Sequence, residues 1–134
     1  MKLALGTVQF GLDYGISNNN GKVDKHAVFD IINFAKKNNI NTLDTAVAYG
    51  DSEKIIGDIG QHFSDNFNII TKVTPFQHSN DIDNSTKPYN LQNQLNSSLK
   101  RLKINSIYAV MLHDANELTS DNAKKTYQQL NILF

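Results

Sequence analysis

Four residues of this sequence have side chains that can hold or move a proton. Asp44 and Tyr49 lie in the stretch LDTAVAYG, Lys72 follows the apolar run FNIIT, and His113 follows the apolar run AVML. A phenol is a weak acid at neutral pH, and an ammonium group beside it stabilises the phenolate that remains once the proton has left. A carboxylate beside that ammonium would keep it charged, and an imidazole can hydrogen-bond a carbonyl oxygen. Together these side chains suit the donation of a proton to a carbonyl oxygen.

None of the four side chains can supply the hydride that reduction of a carbonyl also requires. In enzymes that chemistry belongs to cofactors such as the reduced nicotinamides. Carbonyl reduction by these residues therefore implies a nicotinamide cofactor.

Each of the four residues also has an ordinary structural interpretation. Asp44 suits a turn or a helix cap, and Tyr49 suits the rim of a core. Lys72 suits a strand end from which its ammonium reaches water, and His113 suits a polar strand terminus. Taken singly, these interpretations are the commoner ones, so the fold must decide whether the four residues act together.

Apolar runs that predict strands alternate with helical patterns along the chain. A glycine-rich segment, 6–22, predicts a loop, and so does the polar segment 75–87. Asp24 and Ser52 are placed to cap the first two helices. The predicted strands are 2–5, 41–45, 67–71 and 106–112, and a fifth strand could begin at 132–134. The first predicted helix begins after Asp24 and the second begins at Ser52. The third and fourth predicted helices cover 89–102 and 119–130.

The alternation of strand and helix occurs four times, and the strands are too hydrophobic for a sheet with one wet face. This pattern predicts a parallel sheet covered by helices. Two architectures share it, the doubly wound open sheet and the (β/α)8 barrel. A barrel needs roughly 250 residues, so the 134 residues here would form about half of one. In both architectures chemistry is placed at the carboxyl ends of the strands, where Asp44, Tyr49, Lys72 and His113 are predicted to lie.

The composition argues against several other classes of protein. The net charge is zero and Arg101 is the only arginine, so a nucleic-acid partner is not expected. No apolar run approaches about 20 residues, and the run at Leu3–Leu5 is too short for a signal segment, so we expect a cytoplasmic protein without a membrane partner. The chain has no cysteine, no G-x-G-x-x-G, no P-loop, no G-x-S-x-G and no paired histidines at metal-ligand spacing, so no metal site is expected.

Several stretches together resemble the aldo-keto reductase family. The block LDTA-x-AYG-x-SE is the most specific of them, and the matching pieces span nearly the whole chain in family order. They are LGTVQFG at 5–11, IINFAKKNNINTLDTAVAYGDSEKIIG at 31–57, ITK at 70–72 and SLKRLKINSIYAVMLHD at 98–114.

The resemblance implies a role for each of the four residues. Tyr49 matches the family's general acid, and Lys72 matches the lysine that assists release of the phenolic proton. Asp44 matches the carboxylate paired with that lysine, and His113 matches the histidine that positions the substrate carbonyl. The implied reaction is reduction of a small aldehyde or ketone.

The resemblance also implies a cofactor and the residues near it. Gly6 and Thr7 match positions that approach the nicotinamide end of the cofactor, and Asp44 is counted with them. The family's usual cofactor is NADPH, with NADH as the other candidate. Tyr108 stands where the family often has aspartate, which we interpret as a variation in packing.

The resemblance implies a single domain over 1–134, truncated after the fourth helix. It would form a partial (β/α)8 TIM barrel of about the first four βα units. The later loops, which in barrels commonly hold phosphate, lie beyond the matched units, so we expect weak or no turnover from this chain alone.

Three other interpretations remain open at this stage. Two copies could form a homodimer that closes a barrel through the open sheet edges. A flavodoxin-like sheet could act as a binding module without catalysis. The chain could also be a fragment, or the product of an interrupted reading frame, without a function of its own. Strand order separates the first two, because a sequential order favours the half-barrel and a reversal favours the doubly wound sheet.

Overall fold

The fold is known from a computed structural model that describes residues 3–60, 67–74, 91–121 and 123–132. Strands and helices alternate along it. They are β1 (Leu5–Gly6), α1 (Val8–Gly11), α2 (Lys25–Lys37), β2 (Thr42–Asp44), α3 (Ser52–Gly60), β3 (Asn68–Val73), α4 (Leu91–Leu102), β4 (Ala109–Leu112), a 3₁₀ helix (Ala115–Thr119) and α5 (Ala123–Ile132).

The four strands form one parallel sheet in the sequential order β1-β2-β3-β4. A doubly wound sheet reverses its strand order partway, and this sheet does not. The order is therefore the one predicted for a half-barrel, and the flavodoxin-like alternative is wrong.

The register of the strands places the side chains of Asp44 and Lys72 on one face of the sheet. Asp44 pairs with Ile70, and Lys72, two residues further along β3, pairs with Met111. Because side chains alternate between the faces of a strand, these residues share the inward face of the partial barrel. The other face, which includes Leu43 and the buried residues of β3, lies under the helices.

The core lies between the sheet and its helices. It is made almost entirely of aliphatic side chains at helical or strand spacing, as the sequence pattern predicted. Burying one such side chain contributes about 1.5–3 kcal/mol, so this layer is the main source of stability. Its buried members are Phe10, Val28, Ile32, Leu43, Ile55, Ile56, Ile59, Ile69 and Leu102.

The predicted caps of the first two helices have different outcomes. The Asp24 carboxylate accepts hydrogen bonds from the amides of His26 and Ala27 at 2.8 and 3.1 Å, so this cap is confirmed. These bonds, the one from Ala27 first, lower the pKa of the Asp24 carboxyl below its usual 3.8. Ser52 begins α3, but its buried hydroxyl is hydrogen-bonded to Thr7 and Thr45, so the cap predicted there is wrong.

The segment 6–22, predicted as a loop, contains the short helix α1. Its first turn is closed by the Phe10 amide, which donates to the Thr7 carbonyl at 3.0 Å. The turn carries Phe10 into the core, where its side chain is 3% exposed. One buried aromatic side chain outweighs the low helix propensity of a glycine-rich stretch, which the local pattern did not reveal.

The end of the chain also differs from the prediction. The helix expected at 119–130 is confirmed as α5, but it begins later, at Ala123, and a 3₁₀ helix, Ala115–Thr119, precedes it. Asp114 accepts from the Asn116 amide at 2.9 Å and so starts the helical turn earlier than expected. The fifth strand predicted at 132–134 is wrong at Ile132, which is still helical, and its last two residues lie outside the described residues.

The remaining boundaries are close to those expected. Strand β3 runs on to Val73, and β4 is confined to Ala109–Leu112, at the edge of the described sheet, where Met111 is 48% exposed. Residues 89–90 of the fourth-unit helix and the loop predicted at 75–87 lie outside the described residues. No helix in the described ranges is both long and apolar enough to cross a bilayer.

Candidate active site

Asp44 and Lys72 meet at the carboxyl edge of the sheet. Asp44 ends β2 and Lys72 is the fifth residue of β3, so both side chains leave neighbouring strands on the same face. The Lys72 ammonium donates a hydrogen bond to Asp44 Oδ1 and forms an ion pair with it. The lysine side chain is only 14% exposed, and the carboxylate offsets the cost of burying its charge.

The Lys72 ammonium has two further acceptors. The carbonyl oxygen of Thr45 lies 3.4 Å from Nζ, and the phenol oxygen of Tyr49 lies 3.3 Å from it. An ammonium carries three donors, and all three directions lead to the segment between Asp44 and Tyr49. This segment therefore fixes the position of the charge.

The Lys72 ammonium approaches both the hydroxyl and the ring of Tyr49, and it lies nearer to the hydroxyl. Lys72 Nζ lies 5.0 Å from the ring centroid, which is farther than its 3.3 Å separation from the hydroxyl oxygen. A positive charge in that place stabilises the phenolate more than the phenol.

Backbone hydrogen bonds hold the Tyr49 turn against the sheet. The Val47 amide donates to the Lys72 carbonyl at 3.0 Å, and the Tyr49 amide donates to Ala46 at 3.1 Å. Gly50 has φ +55°, and a β-carbon there would lie 2.6 Å from the Gly11 carbonyl oxygen. Only glycine suits that backbone conformation and that close approach.

His113 stands beside Tyr49 on the open side of the site. Its amide donates to the Val73 carbonyl at 3.0 Å, which continues the ladder between β3 and β4 past the end of β4. The imidazole and phenol rings meet edge to face, with centroids 5.8 Å apart and planes at 80°. His113 is exposed, so its imidazole lies at the surface beside the Tyr49 ring.

The structure thus brings together the four residues singled out in the sequence. Asp44, Lys72 and Tyr49 form one hydrogen-bonded group, and His113 contacts it through the Tyr49 ring. The parallel order of the strands delivers all four residues to one edge of the sheet.

Gly6 and Thr7, two of the three residues expected near a cofactor, are placed differently. Gly6 is exposed at the end of β1, and a β-carbon there would meet nothing within 4 Å. Gly6 pairs with Asp44 in the register of β1 and β2, so the space beside Asp44 is open. Such a space could accept a planar ring. Thr7 is fully buried, and its hydroxyl donates to the Asp44 carbonyl at 3.0 Å, so that hydroxyl is not accessible to a ligand in this structure.

Sequence reasoning missed a buried ion pair behind the sheet. Glu53 is 1% exposed, and its carboxylate accepts from Thr71 Oγ1 at 2.6 Å and from Arg101 Nε at 2.7 Å. These contacts tie α3, β3 and α4 together next to Lys72. In the sequence, the position of Glu53 in the first turn of α3 indicates only a favourable charge at the start of a helix. The one available signal was that Arg101 is the only arginine in the sequence.

Tyr108 does not support the packing role proposed for it. It lies just before β4, where its amide donates to the Ile69 carbonyl at 3.0 Å and its side chain is 68% exposed. Within the described residues, no packing contact explains a tyrosine at this position.

Comparison with known proteins gives a consistent result. The profile described as "Aldo/keto reductase family" matches residues 2–133. A solved structure of a "putative aldo-keto reductase" from Pseudomonas aeruginosa superposes with a TM-score of 0.71 at 27% identity, over 97% of this chain and 51% of that one. A second structure with that description and organism gives 0.69 at 26% identity, over 97% and 49%. The comparison with curated proteins gave no significant match. The chain therefore spans about half the length of the solved proteins that it resembles, and its sheet corresponds to a partial barrel.

Proposed function

This chain belongs to the aldo/keto reductase family, and from that premise we propose that it supplies the proton-donating half of an NAD(P)H-dependent carbonyl reductase. The observation that carries the proposal is the Lys72 ammonium, which is shared between the Asp44 carboxylate and the Tyr49 hydroxyl. A phenol is a weak acid at neutral pH, and a cation beside its hydroxyl assists the donation of its proton to a carbonyl oxygen.

In the proposed reaction Tyr49 donates its phenolic proton to the carbonyl oxygen of an aldehyde or ketone. Lys72 stabilises the phenolate that remains, and Asp44 keeps the ammonium charged and in place. The His113 imidazole donates a hydrogen bond to the same carbonyl oxygen and orients it. A bound nicotinamide supplies the hydride to the carbonyl carbon, so that hydride and proton together give an alcohol.

We propose NADPH as the cofactor, with NADH as the alternative, from family membership. Gly6 supports a nicotinamide site because it leaves open space beside Asp44 at the edge of the sheet. Thr7 would support that site only by fixing the end of β1, since its hydroxyl and amide are hydrogen-bonded to Asp44 and its carbonyl accepts from Phe10 and Ser52.

We further propose that turnover requires the β/α units that complete a barrel. The chain matches 51% and 49% of the two solved structures, and in barrels the loops after strands seven and eight commonly bind phosphate. We expect the 134-residue chain alone to oxidise NADPH weakly or not at all in the presence of a small aldehyde.

The test is the loss of reduced nicotinamide absorbance with an aldehyde substrate. The chain is assayed alone and after it is joined to the β/α units that complete the barrel in the Pseudomonas aeruginosa relative. Activity should appear on completion of the barrel. A completed, folded barrel that binds NADPH and reduces no carbonyl would refute the proposal.

A second candidate is self-association of the half-barrel. Within the described part of the chain β1 and β4 end the sheet, and Met111 is 48% exposed beside Lys72 on the inward face. Pairing of β4 with β1 of a second copy would keep all strands parallel and close eight strands. Sedimentation of the purified chain decides this, because a folded species that stays monomeric at high concentration excludes it.

A further inference from the structure

Three buried hydroxyl groups lie behind the proposed catalytic residues, on the helix side of the sheet. Thr7, Thr45 and Ser52 come from the ends of β1 and β2 and from the start of α3, and each is 0% exposed. Ser52 Oγ lies 2.9 Å from the Thr7 carbonyl oxygen, 2.9 Å from Thr7 Oγ1 and 3.1 Å from Thr45 Oγ1. No role was assigned to this cluster from the sequence.

The chemistry of the partners fixes the direction of every hydrogen bond in the cluster. The Asp44 carbonyl can only accept, so Thr7 Oγ1 donates to it at 3.0 Å. The Thr7 carbonyl can also only accept, so the single hydrogen of Ser52 is directed towards Thr7. Thr45 must then be the donor to Ser52. The result is a directed chain from Thr45 through Ser52 and Thr7 to the Asp44 carbonyl.

Both ends of this chain meet the groups that hold Lys72. At one end, the Asp44 carbonyl receives both the amide and the hydroxyl of Thr7, each at 3.0 Å, while the Asp44 carboxylate accepts from the ammonium. At the other end, the Thr45 carbonyl is an acceptor for the same ammonium at 3.4 Å. The hydroxyl chain therefore begins and ends at Thr45 and Asp44, the two residues that supply two of the three acceptors of Lys72.

We propose that Thr7, Thr45 and Ser52 are positioning residues that hold Asp44 and the Thr45 carbonyl in place around the Lys72 ammonium. In a water-excluded site a hydrogen-bonded network of this kind restricts each member to one orientation. The value of this positioning for catalysis rests on the proposed function, but its effect on Lys72 does not require turnover.

The test is the ¹H–¹⁵N NMR signal of the Lys72 ammonium in the 134-residue chain, assigned by its loss in Lys72→Met. An ammonium held by three acceptors exchanges slowly enough with water to be observed. In Ser52→Ala we expect that signal to broaden or to be lost, because the substitution removes the central hydroxyl of the hydrogen-bonded series Thr45–Ser52–Thr7. An unchanged signal in folded Ser52→Ala would overturn the proposal.

Ser98→Ala is the matched control. Ser98 is also 0% exposed and accepts one hydrogen bond from Arg101 at 3.1 Å, but it lies on α4. Its replacement should lower the denaturation midpoint and leave the Lys72 signal intact. Equal broadening in both variants would show a general loss of packing and would also overturn the proposal.

If Ser52→Ala does not fold, two substitutions of Thr45 test the proposal instead. Thr45→Ser keeps the hydroxyl and should keep the Lys72 signal, whereas Thr45→Val keeps the shape and should lose it. Thr126→Val, at another fully buried threonine, whose hydroxyl donates to Glu117 at 3.4 Å, is the control. If Thr45→Val retains the signal, the hydroxyl chain does not position Lys72, whatever the outcome of the reductase assay.

Discussion

Gly11 and Tyr49 approach each other so closely that a β-carbon on Gly11 would lie 1.8 Å from the Tyr49 carbonyl oxygen. Gly11 ends α1, the short helix that carries Phe10 into the core. The helix therefore packs backbone to backbone against the turn that bears the proposed acid. The position of the Tyr49 hydroxyl depends on an element that contains no catalytic residue.

Gly11→Ala should displace the Tyr49 turn. The added methyl group meets backbone on one side, so the chain must shift, at a cost of about 1–3 kcal/mol or more. We expect a lower denaturation midpoint and loss of the Lys72–Tyr49 contact. Gly60→Ala is the control, since a β-carbon there meets nothing within 4 Å and alanine favours the helix. A Gly11→Ala chain as stable as Gly60→Ala would contradict the observed packing.

Lys72→Met should remove the cation that favours the Tyr49 phenolate. In the barrel-completed protein we expect kcat to fall by about 10²–10³-fold, the size of effect seen when one stabilising group is removed. Lys103→Met, which breaks a surface ion pair with Asp58 at 2.8 Å, is the control and should leave kcat unchanged. Equal rates for the two variants would exclude a role for Lys72 in proton transfer.

Arg101→Met should leave the Glu53 carboxylate buried without its cation. Removing one partner of a buried pair costs about 3–5 kcal/mol, and partial exposure of the Arg101 side chain, 37%, places the cost at the lower end. The double variant Glu53→Met with Arg101→Met should recover most of that loss, since no charge is left buried. Urea denaturation measures both, and a double variant less stable than Arg101→Met would contradict this account.

The pH dependence of stability should include a contribution from the Asp24 cap. Hydrogen bonds from Ala27 and His26 lower the carboxyl pKa in the folded chain below 3.8, its value when unfolded. The contribution is therefore complete above the unfolded pKa and is lost as pH falls through the lower folded pKa. Asp24→Asn retains a cap acceptor but cannot titrate, so its deficit against the parent chain should shrink in acid. A deficit that is constant with pH would contradict the assignment.

The sequence predicted the parts of this fold that depend on local pattern. Each of four elements can be recognised from its own sequence alone. Apolar residues at helical spacing indicate α2 and α3, and short apolar runs indicate β2 and β3. The alternation of strands and helices predicted a parallel sheet, which was enough to bring Asp44, Lys72 and His113 to one edge, while the sequential order of the strands came from the structure. The resemblance to a family added the roles of these residues, which remain proposals.

What the sequence could not predict depends on contacts between distant segments. Ser52 has the pattern of a helix cap, yet its hydroxyl is directed to Thr7, 45 residues away in sequence. Glu53 has the pattern of a first-turn charge, yet it pairs with Arg101 across two helices. A polar side chain at the start of a helix can face water or can join a buried network. For Ser52 and Glu53, only the packing of α3 against the sheet shows that they are buried.

The central claim, that Tyr49 donates the proton in carbonyl reduction, is tested most directly by its replacement with phenylalanine. The barrel-completed protein is assayed with NADPH and a small aldehyde as Tyr49→Phe and as the control Tyr108→Phe, at an exposed tyrosine before β4. We predict that Tyr49→Phe binds NADPH normally and loses the reaction by about 10²–10⁴-fold, while Tyr108→Phe keeps the parent rate. A Tyr49→Phe protein that reduces the aldehyde at the parent rate would contradict the account.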